Sequence, residues 1–221
     1  MKYFLAIALV LFAFSLSFAQ GEQAPILEKP IKYNDWTLKS IRDGNEINLR
    51  KIAQSNKLTI VVYFAPWCGN WKQDAPMLER LYEKYHLRGL EIVAVGEYDP
   101  QASMKASLDS YKISFPAVYE SENRTEKQKT LHYGYRTSTG DTRNWGSPWY
   151  IFLEPGQLEK AGDLLIKKTH IINGQMIEAE GDKFIRDKLG VPAADGKTAS
   201  AKTDKIEVCD TEKKPAELKK P

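Results

Sequence analysis

Three segments of this chain predict an α/β fold with a central mixed β-sheet flanked by helices. Leu58 to Phe64 is β-branched or aromatic at every position after its leading leucine, the composition of a strand buried on both faces. Asn70 to Tyr85 places Trp71, Ala75, Leu78, Leu81, Tyr82 and Tyr85 at three- and four-residue steps, the period of an amphipathic helix. Gly89 stops that helix, and Leu90 to Val95 reads as the next strand. Strand, helix and strand within about 40 residues form a βαβ unit, which requires parallel pairing and a right-handed crossover.

The remaining elements follow in chain order. Residues 1–19 read as a signal peptide: Lys2 supplies a positive start, Tyr3 to Phe14 is almost unbroken apolar sequence, and Ser17-Phe18-Ala19 puts small residues where a peptidase reads. An uncleaved anchor is the alternative, but the apolar stretch is short for a span of about 20 residues. Residues 20–50 are a polar lead-in with isolated anchors such as Trp36 and Leu38, and room for short strands. Gln101 to Tyr111 has helical spacing, and Ile113 to Tyr119 leads into a further extended run. Residues 120–146 are polar, with Tyr133, Tyr135 and Trp145 interspersed, and read as an inserted loop. Loops of that length are uncommon in a compact domain and tend to be functional. Trp149 to Leu153 resumes the sheet. Leu164 to Ile172, Asn173-Gly174 and Gln175 to Ile177 read as a hairpin with a two-residue turn. Asp182 to Leu189 is a last short helix, and residues 190–221 have the composition of a disordered tail. The domain proper is therefore expected at residues 51–189.

Composition narrows the function classes. The formal charge is +3, or +2 without Lys2, which gives no reason to invoke nucleic acid, nor a membrane partner once the signal is removed. An exported protein, periplasmic or secreted, meets an oxidising compartment, yet two cysteines allow at most one internal bridge. The fold must rest on its core. His86, His132 and His170 are widely separated and show no metal-ligand spacing. No cofactor signature is present, and oligomeric state is not legible.

The segment from Val61 to Pro76 carries the chemistry: an apolar run, Trp67-Cys68, then a helix with Pro76 inside it. It resembles the active-site strand, loop and helix of the thioredoxin superfamily, in which Trp-Cys-x-x-Cys performs thiol–disulfide exchange. Residues 52–119 and 146–189, a little over half of the mature chain, resemble exported members of the TlpA/ResA type. Asp74 sits where many of those carry a Glu. Ser147-Pro148 precedes an apolar strand, as the family's cis-proline does. The resemblance implies a thioredoxin-like fold, thiol–disulfide oxidoreductase chemistry, and thiols or disulfides, protein or small-molecule, as partners. The second cysteine is absent, and Trp71 stands in its place.

Each candidate residue carries an alternative. Cys68, at the mouth of a helix, is placed for a lowered thiol pKa; a small buried hydrophobe is the plainer reading. The resolving step needs a second thiol. It can come from a small external thiol or from Cys209, since a flexible linker of about 20 residues reaches about 25 Å; otherwise the redox function is lost and the groove is a binding surface. In that case Trp71 and the aromatic loop would form the contact. Pro148 is either a cis proline or the opening of an edge strand. Trp67, Trp71 and Ser147 would shape the substrate groove, and Asp74 would tune the thiol or merely complement the helix dipole. Tyr133, Tyr135 and Trp145 either line a surface or pin the loop. A peroxiredoxin pattern is lacking, because Val61 and Ala65 occupy the positions where such proteins carry Pro and Thr or Ser.

Overall fold

The computed structural model describes residues 22–192. The expected signal peptide, most of the expected tail, and Cys209 lie outside the described residues.

In chain order the elements are β1 (Gln23–Ala24), β2 (Leu27–Pro30), β3 (Thr37–Ser40), β4 (Glu46–Asn48), α1 (Leu49–Ser55), β5 (Leu58–Phe64), α2 (Gly69–Tyr85) and β6 (Leu90–Gly96). They continue as α3 (Gln101–Ser110), β7 (Ala117–Tyr119), α4 (Leu131–Ser138), β8 (Trp149–Leu153), β9 (Lys168–Ile172), β10 (Gln175–Met176) and α5 (Glu178–Leu189). Eight strands form one mixed sheet in the order β2-β9-β8-β5-β6-β7-β3-β4. β5, β6 and β7 run parallel, with Leu58 opposite Leu90, and β8 lies antiparallel to β5 on its other side.

The alternation of side chains along the central strands divides the core in two. Ile60, Val62, Phe64, Ile92, Ala94, Tyr150 and Phe152 face the layer built from α2, α3 and α5. Val61, Tyr63, Val93, Val95, Trp149 and Ile151 face the opposite layer, with Leu49 and Ala53 of α1 and Tyr135 of α4. All seven residues of β5 are buried, because both faces of the strand are covered. α2 ends at Tyr85 and runs on into a 3-10 turn (His86–Arg88), which Gly89 closes in a left-handed conformation (φ +105°) that disfavours any residue with a Cβ. No helix among the described residues is long and apolar enough to cross a membrane.

Two expectations need correction. Residues 120–146 are not a structureless loop: they contain a 3-10 turn (Arg124–Lys129) and α4, whose first turn is capped by the Thr130 side chain accepting from Tyr133 N at 3.1 Å. The buried residues of α4 are His132, Tyr135 and Arg136, so its inward face is polar and leaves no apolar period to read. The expected hairpin also does not form between β9 and β10. Asn173-Gly174 does turn the chain, but β10 pairs in parallel with β1, and Gln175 N donates to Glu22 O at 2.8 Å. The lead-in strand takes the hydrogen bonds that a hairpin partner would have used.

Candidate thiol site at the start of α2

The sheet brings its ends together at Cys68. β5 runs into Ala65-Pro66-Trp67, and the chain turns there, with Cys68 N donating to Ala65 O at 3.0 Å. Cys68 is the N-cap residue of α2, with extended backbone and its carbonyl accepting from Lys72 N at 3.2 Å. The sulfur thus sits at the end of a helix whose first N–H groups lack intrahelical partners and favour negative charge. Cys68 has no exposed surface. It is not a free thiol: its sulfur is disulfide-bonded.

β8 is antiparallel to β5, with Trp149 opposite Tyr63, so the residues preceding β8 arrive beside the residues following β5. The Ser147-Pro148 peptide is cis. Ser147 Oγ accepts from Ala65 N at 2.9 Å, tying the two loops together. Ser147 O lies 3.2 Å from Cys68 Sγ, a contact that becomes a weak S–H···O hydrogen bond when the thiol is reduced.

Asp74 is six residues along the same helix, about 9 Å down its axis. Its side chain is buried, with Oδ2 accepting from Tyr150 Oη and from Met176 N at 3.1 Å. Burial pushes the carboxyl up from 3.8 to about 7, against the lowering effect of those two hydrogen bonds and of the Arg143 guanidinium. At that separation Asp74 influences Cys68 through the field, not through contact.

Trp71 does not line a groove. The indole has no exposed surface, stacks on Phe64 with ring centroids 4.3 Å apart, and donates from Nε1 to Ser107 Oγ of α3 at 3.1 Å. Its position falls on the buried face of α2 with Ala75 and Leu78, so a large side chain there fills the core. The expectation that Trp71 shapes a groove or contributes a contact surface is therefore corrected. Trp67, by contrast, is half-buried beside the thiol. It meets Trp145 edge-on at 5.2 Å, and the Arg124 guanidinium lies over its ring at 4.5 Å.

The aromatic residues of the inserted segment divide by role. Tyr135 pins the segment to the domain, donating to Asn34 Oδ1 at 2.9 Å and accepting from Asn34 N at 3.0 Å. Tyr133 lies under the Arg136 guanidinium at 4.9 Å. Trp145 alone reaches the thiol site. Two residues that sequence reasoning passed over belong here. Tyr150 is a strand residue whose hydroxyl meets Asp74, and Arg143 donates to Ser147 O at 3.4 Å and Pro148 O at 2.8 Å. An Arg in a polar stretch carries no signal of such a placement. Among the described residues, no group of three His, Cys, Asp or Glu side chains converges as a metal site would need.

Known proteins resemble this chain over part of its length. The thiol–disulfide oxidoreductase ResA of Halalkalibacterium halodurans is 30% identical over 78 residues, 35% of this chain and 43% of that protein. A protein disulfide-isomerase of Drosophila melanogaster is 32% identical over 108 residues, 48% of this chain and 21% of that one. The chain thus spans less than half the length of these curated relatives. A thioredoxin-family thiol:disulfide interchange protein from Chlorobium tepidum superposes with a TM-score of 0.52 at 17% identity, covering 73% of this chain and 98% of that chain. A putative protein disulfide isomerase from Bacteroides thetaiotaomicron gives 0.52 at 16% identity, covering 76% and 94%. These likenesses fix the fold as thioredoxin-like. The AhpC/TSA family model matches residues 21–142, more than half of the sequence, and the chain belongs to that family.

Proposed function

We propose that this protein is an exported thiol–disulfide oxidoreductase working through Cys68, with Cys209 as its resolving thiol. The observation that carries the reading is the placement of Cys68: a disulfide-bonded sulfur at a helix N-terminus, 3.2 Å from the carbonyl that precedes a cis-proline. ResA and the disulfide isomerases are named for this chemistry, and their likeness supports the same class of substrate here.

The reaction balances with two thiols. Cys68 thiolate attacks one sulfur of a substrate disulfide, forming a mixed disulfide and releasing the other substrate sulfur as a thiolate. Cys209 thiolate then attacks Cys68 Sγ, releasing the second substrate thiol and leaving a Cys68–Cys209 disulfide. Two electrons pass to the substrate, and an external dithiol must return them for turnover. Asp74, with its carboxyl near neutrality, tunes the field along α2. Trp67 and Ser147, with Pro148, border the approach to the sulfur. Peroxide reduction is not part of the proposal, since Val61 and Ala65 replace the Pro and Thr or Ser of a peroxiredoxin site.

The test joins mass and rate. Intact mass after alkylation should show two added alkyl groups only when the monomeric protein has first been reduced. C68S should lose reduction of a model disulfide entirely, and C209S should stall as a mixed disulfide. Full activity in C68S would overturn the reading. Both thiols alkylating without reduction would remove Cys209 from it.

A further inference from the structure

The chain leading into the cis-proline is held along its length by side chains of the inserted segment. Arg136 donates to Arg143 O at 2.6 Å and to Asn144 O at 2.9 Å. His132 Nε2 lies 3.2 Å from Gly146 O, and its Nδ1 is 2.9 Å from the Tyr98 hydroxyl. A carbonyl only accepts, so Nε2 carries the hydrogen and Nδ1 accepts from Tyr98. Arg143 completes the set by donating to Ser147 O and Pro148 O. Its guanidinium is oriented by Asp141 at 2.7 Å and by Glu22 at 3.1 Å, and its side chain is only 15% exposed.

Ser147 O therefore serves two partners. It faces Cys68 Sγ on one side and Arg143 Nη1 on the other. We infer that Arg143 is a positioning residue of the thiol site, fixing the carbonyls on both sides of the cis peptide and, through Ser147 O, biasing Cys68 toward its thiolate. The inference rests on the exchange reading above for its purpose, and on the geometry alone for its effect on the sulfur.

The direction follows from three contributions that agree. Ser147 O can accept only from the neutral thiol, and a guanidinium on the same oxygen weakens that stabilisation of the S–H form. The guanidinium charge lies two hydrogen-bond lengths from the sulfur and favours an anion there. Removing it would leave Glu22 without its ion-pair partner and Asp141 with only Arg136, at 4.0 Å, which disfavours a thiolate further. The other titratable and charged groups around this corner are Asp74 on α2, Tyr150 on β8, His132 and Arg136 on α4, Arg124 over the Trp67 ring and Lys127 over the Trp145 ring.

The experiment uses the reduced full-length protein. The Cys68 pKa is read from ultraviolet thiolate absorbance against pH, with C68S as baseline, in wild type, R143M and R143K, alongside Tm. R143M should raise the pKa by about one unit or more. R143K, which keeps the charge but loses the planar fork, should raise it by about half a unit. A lowered Tm with an unchanged midpoint in R143M would overturn the inference, because a purely structural residue has that signature. Should R143M fail to fold, R143K decides alone, and an unshifted midpoint overturns the inference. A wild-type protein without exchange activity but with an Arg143-dependent midpoint would sink the proposed function and leave the positioning role standing.

Discussion

Replacing Asp74 by Asn should remove one contribution to the pH response of stability in a calculable way. Burial raises the folded carboxyl from 3.8 to about 7. Below the unfolded value both states hold the proton, and Asp74 contributes no pH dependence. Between the two values the unfolded chain releases its proton while the folded one keeps it, so stability falls by up to about 1.4 kcal/mol per pH unit. Above about 7 the loss is complete, and a displacement of about three units amounts to about 4 kcal/mol. Asn never ionises, so the stability difference between D74N and wild type should rise by that amount from pH 4 to pH 8. The Asn oxygen can accept from Met176 N, but its amide N–H gains no evident partner, which costs about 1 kcal/mol at every pH. D74N should thus be slightly less stable than wild type near pH 4 and about 3 kcal/mol more stable near pH 8. Urea unfolding of both proteins across that range, with the disulfide state held constant, measures the difference. A gap that changes by less than about 1 kcal/mol between pH 5 and pH 8 would refute the reasoning, since it would mean that Asp74 is not desolvated in the folded state.

Further outcomes follow from the same packing. W71A removes a fully buried indole and its bond to Ser107, and should cost about 3–5 kcal/mol in denaturant unfolding; a near-neutral W71A would show that the indole is not core. G146A should destabilise strongly, because Gly146 has φ +63° and a Cβ there would collide with Arg136 Cδ; the check is a fall in Tm that R136A partly relieves. Glu97 is fully buried, and burial, with Glu120 beside it, holds its carboxyl well above the usual range. Its contribution to stability is present at low pH and lost as pH rises beyond the unfolded value, so E97Q should gain on wild type at pH 8 and not at pH 4, in the same urea assay.

The fold was legible because its central elements are governed by burial on one period. β5 and β8 are continuous apolar runs because two layers cover them, and α2 shows its inward face through Trp71, Ala75, Leu78 and Leu81. Gly89 and Thr130 illustrate the contrast at element ends: the glycine stop was visible, while the threonine cap was lost in a polar stretch. α4 escaped because its buried face is His132, Tyr135 and Arg136, residues kept inside by hydrogen bonds instead of apolar contact. The extended run of β10 was read, but its pairing escaped because its partner, β1, is distant in sequence and two residues long. At the site, the position of Cys68 at the start of α2 could be read from the sequence, and the cis peptide at Pro148 only from the family resemblance. Arg143 could not, since its placement depends on Glu22, far away in sequence, closing on it beside its near neighbour Asp141.

Trp71 shows how one substitution changes the meaning of a motif without changing its frame. Residues three apart on a helix share a face, and position 71, three beyond the cap, points with Ala75 and Leu78 into the core against Phe64. A side chain at that place is chosen by the space between α2, α3 and the sheet, and an indole with a hydroxyl partner at Ser107 fills it. On the proposed reading the nucleophile sits at the helix mouth, and α2 carries no second thiol to resolve it. A resolving thiol has to arrive from outside the helix, which moves control of the second step from fixed helical geometry to chain reach. W71C separates these cases. If the helix face alone governs resolution, W71C in a C209S background should restore turnover, at a stability cost of about 3 kcal/mol or more from the vacated indole volume. If W71C folds, forms no disulfide between Cys68 and the introduced thiol, and restores nothing, position 71 is core alone, and resolution on this scaffold depends on the approach that the cis-proline loop and Arg143 define.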